Sequence, residues 1–187
     1  MAMVTNFAEM LIASRGLIIN VSSVSSMVPY AFGSVYASSK AALNSYSRTL
    51  RQELRPFGVR VLVIIAGTVK SNMAVNPKTW FPENSVFQRA KHLYEARVGF
   101  SQKASSSPMS TDQFANKVVQ EALKSEASPF WRTWFGRPDW LWHGGMSTMI
   151  WLGSCVSEWV IDFGSWRQFR LYELEAILKK ERQLKQD

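Results

Sequence analysis

The sequence predicts an α/β fold, part of a doubly wound parallel sheet, followed by a helical, tryptophan-rich C-terminal arm. Three observations carry that expectation. Two short β-branched apolar runs, GLIINVSS and VRVLVII, lack the polar alternation of a half-exposed strand and read as strands buried on both faces. Between them lies a stretch with apolar residues at spacings of three and four, the mark of a helix with one buried face. Strand, helix and strand in that order make a βαβ unit, whose strands pair in parallel through a right-handed crossover.

Taken in chain order, residues 3–14 form a first helix, with Met3, Phe7, Met10 and Leu11 as its core-facing stripe. It stops at Ser14-Arg15-Gly16, with the glycine in the terminating position. A strand follows over 16–22, then a loop from Ser22 to Gly33. The helix over 34–55 buries Leu43, Tyr46, Leu50 and Leu54, and Pro56 and Gly58 end it. The second strand covers 59–65 and is left through Ala66-Gly67. Both loops that leave the strand tips then open on one edge of the sheet, the carboxyl edge where open α/β sheets hold ligands. Residues 74–110, punctuated by Pro77, Pro82 and a Ser-rich run, read as a lid with a helical stretch near 85–98. Ser110 opens a further helix with Phe114, Val118, Val119 and Leu123 on one side.

A domain boundary is expected near residue 130, separating a catalytic domain, 1–130, from an arm, 131–187. Seven of the eight tryptophans fall between Trp131 and Trp166. Residues 140–157, WLWHGGMSTMIWLGSCVS, are uncharged but diluted by glycines and hydroxyl residues. That composition suits a membrane interface, or packing on the domain or a second subunit, better than a bilayer crossing. Arg132, Arg137, Arg167 and Arg170 flank the region, and Leu171, Leu174 and Leu178 mark a final amphipathic helix.

Composition closes several routes. The single cysteine, Cys155, excludes an internal disulfide, and His92 and His143 stand alone, so no metal site is expected. The net charge is +8, yet the positives are dispersed and form no stripe that tracks phosphates, so nucleic acid is not the expected partner. Anionic lipid or a phosphorylated small molecule accounts for the charge equally well. The opening MAMVTNFAEMLIASR lacks the basic start and long apolar centre of a signal peptide.

The stretch YASSK sets Tyr36 and Lys40 one turn apart, and Ser23 ends the first strand thirteen residues before Tyr36. A tyrosine-lysine pair at this spacing is by itself only a helix-surface contact. Here all three side chains converge on the carboxyl edge. An ammonium beside a phenol favours its ionised form, which makes Tyr36 a usable general acid/base. A serine hydroxyl holds the reacting oxygen of a substrate against it. Such a set protonates an oxygen while hydride reaches the adjoining carbon, and no side chain supplies hydride, so a nicotinamide is implied.

With VSS…YASSK and a following strand that ends in AGTVKS, the chain resembles the short-chain dehydrogenase/reductases. The resemblance implies a Rossmann-type sheet, with Ser23 positioning substrate, Tyr36 as acid/base, and Lys40 supporting Tyr36 and binding the nicotinamide ribose. It implies further cofactor contacts from Ala66, Gly67, Val69 and Ser71. Residues from SRGLIINVSS to FGVRV, with PENSVFQRAKHLYEARV, look like the fungal NADPH-dependent 1-acyldihydroxyacetone-phosphate reductases. That likeness implies NADPH, a lipid-like ketone substrate, and the cytoplasmic face of the endoplasmic reticulum or a lipid-droplet surface; a homo-oligomer is compatible with it. A retinol or steroid dehydrogenase of the same family is the alternative.

Two departures accompany the likeness. Ala66-Gly67 stands where the family has Pro-Gly, and the ten glycines include no cluster like the family's N-terminal Gly-rich turn. The similarity begins within the family's fourth helix, so the sequence reads either as part of a longer enzyme or as a short, non-catalytic interaction module.

Overall fold

The computed structural model describes residues 2–72, 81–98, 100, 103, 107–124 and 138–185. Three strands, β1 (Leu17–Ser23), β2 (Arg60–Ala66) and β3 (Trp140–His143), form one parallel sheet in the order β1-β2-β3. The register sets Ser23 beside Ala66 and Ala66 beside His143, so all three carboxyl ends finish at one edge. Helix α1 (Ala2–Ser14) precedes β1, and α2 (Ser34–Leu54) joins β1 to β2. Helices α3 (Lys91–Val98) and α4 (Thr111–Leu123) lie between β2 and β3. Three more follow β3: α5 (Ser147–Val156), α6 (Glu158–Gln168) and α7 (Leu171–Gln183).

Side chains alternate across each strand, so register partners share a face. On one face Leu62, Ile64 and Leu141 meet Ala122 of α4, with Phe114 and Val118 packed against them. The other face carries Asn20, Ser22, Val63 and Ile65 and is covered by α2. There Asn20 donates to Ser47 Oγ at 2.8 Å, and Ser22 donates to the Lys40 carbonyl at 3.2 Å. Arg51 fastens the far side, donating to the main-chain oxygens of Val61 at 3.0 Å and Asp139 at 2.7 Å.

Several expected faces are corrected by this packing. The stripe of α2 that is fully buried is Asn44, Ser47 and Leu50, whereas Leu43, Tyr46 and Leu54 are half-buried. Small hydroxyl and amide groups fit close to the sheet, where Ser47 Oγ accepts from Asn20 and Asn44 Nδ2 donates to Ser26, while Asn44 Oδ1 is buried without a partner among the described residues. On α4, Val119 and Leu123 are exposed and Glu121 is buried, its carboxylate held by Lys117 at 2.7 Å and Lys124 at 2.6 Å. The stripe expected on α1 is not a core face: Met3, Phe7 and Met10 are exposed, because no described element covers that side. Helix α1 ends on Arg15, which takes the left-handed conformation (φ 47°), and the Gly16 N–H closes onto the Leu11 carbonyl at 2.9 Å.

Within the segment read as an arm, Trp140–His143 is an integral strand of the sheet. Part of the expected lid, including 74–80, lies outside the described residues, and α3 is its helical portion. Helices α6 and α7 turn back over the domain. Ser165 donates to the Pro29 carbonyl at 2.8 Å, Arg89 pairs with Glu181, and His92 Nε2 lies 3.5 Å from Glu173. Among the described residues no helix is long and apolar enough to cross a membrane. Among the described residues no strand pairs with the outer edge of β1, and on the face shared with Leu62 and Ile64 its Ile19 and Val21 are 39% and 48% exposed.

Candidate active site

The site is built on the end of β1 and the start of α2. Ser23 takes extended geometry (φ −150°, ψ 153°) and caps a short 3-10 turn, Val24–Ser26. Its Oγ accepts from the Ser25 N–H at 3.2 Å and from the Ser25 hydroxyl at 3.0 Å, while its own proton remains available to another acceptor. Buried Ser22 and half-buried Ser26 brace the turn from below, Ser26 donating to the Ser23 carbonyl at 2.5 Å. The serine-rich sequence thus satisfies a tight turn locally and leaves Ser23 at the strand tip.

Tyr36 sits in the first turn of α2, half-buried, and Lys40 follows one turn later. The Lys40 ammonium is 5.8 Å from the centre of the Tyr36 ring and donates to the Val21 carbonyl of β1 at 3.0 Å. That bond ties helix to strand and fixes the positive charge beside the phenol. The structure therefore brings Tyr36 and Lys40 together and sets Ser23 on the adjacent strand tip. Among the described residues no hydrogen bond joins the Ser23 and Tyr36 hydroxyls.

The four residues expected to contact cofactor occupy the exit of β2. Ala66 packs against the core, and Val69 bridges Met109 in parallel. Ser71 is exposed at the end of the described run. Gly67 is small for an internal reason: a Cβ there would lie 2.2 Å from the Gly145 carbonyl oxygen and 2.9 Å from the Gly144 carbonyl carbon. Its close backbone approach is to the turn after β3, through Gly67 N–H to His143 at 2.8 Å and a bridge between Thr68 and Gly145.

Two further residues border the site. The Tyr30 ring is tilted against Tyr36, with centroids 6.4 Å apart, and Phe169 meets it edge-on at 5.4 Å. The Arg97 guanidinium of α3 lies 4.1 Å over the Tyr30 ring. Burial pushes the Tyr30 phenol above its ordinary range; Arg97 opposes that shift and Tyr36 adds to it. Neither residue carried a sequence signal, since both reach the site through contacts distant in the chain.

Comparison with known proteins places this geometry. Residues 1–81 match the family described as short chain dehydrogenase. The chain is also 36% identical over 179 residues to the short-chain dehydrogenase fogD of Aspergillus ruber, covering 94% of this chain and 57% of that protein. It belongs to the short-chain dehydrogenase family. Another relative, an NADPH-dependent 1-acyldihydroxyacetone phosphate reductase of Saccharomyces cerevisiae, is 29% identical over 190 residues, covering 99% of this chain and 59% of the relative. A crystal structure of a short-chain dehydrogenase from Streptomyces avermitilis shares the fold, with a TM-score of 0.58 at 22% identity over 92% of this chain and 55% of that one. The chain spans less than two thirds of each of these proteins.

Proposed function

We propose that this short-chain dehydrogenase chain serves an NADPH-dependent reduction of a lipid-like ketone to an alcohol, with Tyr36 as the proton donor. The observation that carries the reading is the Tyr36–Lys40 pair fixed by Lys40 to the Val21 carbonyl beside the Ser23 strand tip. Ser23 offers its free proton to the substrate carbonyl and holds that oxygen at the phenol. Tyr36 passes its hydroxyl proton to the same oxygen as negative charge develops there. The Lys40 ammonium steadies the phenolate left behind, since opposite charge at short range in a half-buried site is only partly screened.

The chain's residues fit a nicotinamide ribose at one point. An ammonium has three donors and Lys40 spends one on Val21, so two remain for ribose hydroxyls. NADPH when bound supplies the hydride that reaches the carbonyl carbon. Gly67 is already filled by Gly145, so we assign no phosphate contact to its Cα.

For the substrate we favour 1-acyldihydroxyacetone phosphate, supported by the name of the yeast relative. A retinol- or steroid-type ketone is the competing choice. A lipid surface, of the endoplasmic reticulum or of lipid droplets, is the proposed setting. Its support is the row of exposed apolar residues on α5 and α6, with Val156 73%, Trp159 70% and Met149 69% exposed.

The decisive experiment compares Tyr36→Phe with Tyr46→Phe, the same chemical change ten residues further along α2. Loss of the proton donor should lower kcat by about 10²–10⁴-fold, with Tyr46→Phe close to wild type. Equal losses at both positions, or none at Tyr36, would overturn the reading.

A further inference from the structure

We propose that Arg97 is the specificity residue of this site, holding an anionic group, phosphate or carboxylate, that the substrate carries a few bonds from its carbonyl. The inference rests on Tyr36 as the reacting centre and adds what selects the ketone. Arg97 stands out from its basic neighbours. Arg89 pairs with Glu181, Lys91 with Glu95, and His92 with Glu173. Among the described residues no carboxylate pairs with Arg97, and its Nε is buried without a hydrogen-bond acceptor.

A guanidinium drawn inward without an anion is costly, because its lost hydration is not replaced. The Tyr30 face, 4.1 Å away, offers cation–π attraction, which is weaker than the charge-assisted hydrogen bonds a guanidinium makes to an anion. Local sequence makes room for this arrangement. Gly33 directly precedes α2, and a Cβ there would sit 2.2 Å from Arg97 Nη2. The stack also orients the charge: Arg97 lies on Tyr30, and Tyr30 lies against Tyr36. A planar fork held this way matches two oxygens of one carboxylate or phosphate. Lys40, 5.8 Å from the Tyr36 ring centre, adds a second positive charge near the phenol.

The test is calorimetric binding to this chain of three ketones: dihydroxyacetone phosphate, acetoacetate and neutral dihydroxyacetone. At least one charged probe should bind tenfold or more tighter than the neutral one, and the two charged probes tell phosphate from carboxylate. Arg97→Gln should erase that preference. Gly33→Ala should weaken it by displacing the guanidinium, while Arg97→Lys, which keeps the charge and is the safer variant for folding, should keep only part of it. Equal binding of charged and neutral probes, or an undiminished preference in Arg97→Gln, overturns the proposal. Tyr36→Phe separates it from the catalytic reading, because that variant should lose turnover yet retain the charge preference. If Tyr36→Phe keeps turnover while Arg97→Gln erases the preference, the catalytic reading falls and the anion site stands.

Discussion

Replacing Gly67 by alanine tests how the carboxyl edge is built. The new Cβ would enter the space of the Gly145 carbonyl oxygen, 2.2 Å away, and of the Gly144 carbonyl carbon, 2.9 Å away. Both obstacles are backbone, so no side chain can rotate to relieve them. The turns after β2 and β3 must separate, straining the Gly67 N–H bond to His143 at 2.8 Å and the two Thr68–Gly145 bonds at 2.9 Å. Overpacking costs about 1–3 kcal/mol, and each weakened hydrogen bond adds about 0.5–1.5 kcal/mol. A loss of about 2–4 kcal/mol is expected, since the turns relax part of the way. In urea, with a slope of about 1–3 kcal/mol/M, the unfolding midpoint should fall by roughly 1–2 M. Gly164→Ala is the counterpart: it lies in α6 with nothing within 4 Å of an added Cβ. There alanine should stabilise by about 0.5–1 kcal/mol through helix propensity. A Gly67→Ala protein within about 0.5 kcal/mol of wild type, the usual span of a neutral surface change, would refute the close approach of the two turns.

Other consequences follow from the same packing. Leu141→Ala should cost about 2–5 kcal/mol, because Leu141 is buried against Leu62, Ile64 and Ala122; a loss under about 1 kcal/mol by urea unfolding would mean β3 is a loose appendage. Acid should destabilise the fold in two stages. Burial alone would raise the Glu121 carboxyl, but hydrogen bonds from Lys117 and Lys124 outweigh it and hold it below its usual range. Its contribution is thus present above the unfolded carboxylate pKa and lost as pH falls through the folded one. Burial first, then Lys117, depresses His143, with Glu121 opposing, so stability begins to fall as pH drops below about 6.5, the unfolded histidine value. Urea midpoints across pH should show the upper stage vanish in His143→Asn and the lower one shrink in Glu121→Gln. Phe169→Ala removes edge-on contacts to Tyr30 at 5.4 Å and Phe100 at 5.8 Å; it should cost about 1–3 kcal/mol and raise KM more than it lowers kcat.

The parts of this architecture that were legible in sequence are those set by local pattern. The two unalternating β-branched runs are parallel strands as expected, but only β2 is buried on both faces; β1 leaves Ile19 and Val21 exposed on one. The tyrosine-lysine spacing was equally visible, since four residues on a helix fix the geometry without tertiary help. β3 escaped notice because WLWH is short and reads as interfacial tryptophan; only the pairing with β2 turns Trp140 and Trp142 to one face and Leu141 to the other. Of the face expected on α2, Leu50 is buried, but Asn44 and Ser47 take the interior places expected of Leu43 and Tyr46, because hydrophobic spacing cannot recognise them as interior groups. Their partners, Ser26 and Asn20, come from the preceding loop and strand. Arg97 and Tyr30 are about as far from legible as residues can be, for their meeting depends on where α3 is laid against the loop after β1.

That meeting explains why the C-terminal helices belong to any account of the site. Three groups touch the Tyr30 ring: Tyr36 from α2, Arg97 from α3, and Phe169 from the end of α6. Ser165 holds the same loop through the Pro29 carbonyl, and α7 reaches α3 through Glu173 and Glu181. The ion pairs are exposed and individually weak, so the aromatic contacts set the placement and the charges set its register. Phe169, Tyr30 and the guanidinium thus form one contact chain reaching from α6, while Lys40 of the catalytic pair is tied separately to β1. On the proposed reading, proton transfer would depend on the strand-helix unit and recognition of the rest of the substrate on the arm. If the exposed tryptophan and aliphatic face of α5 and α6 rests on lipid, the ketone's recognition geometry is set at that surface while its chemistry stays anchored in the sheet.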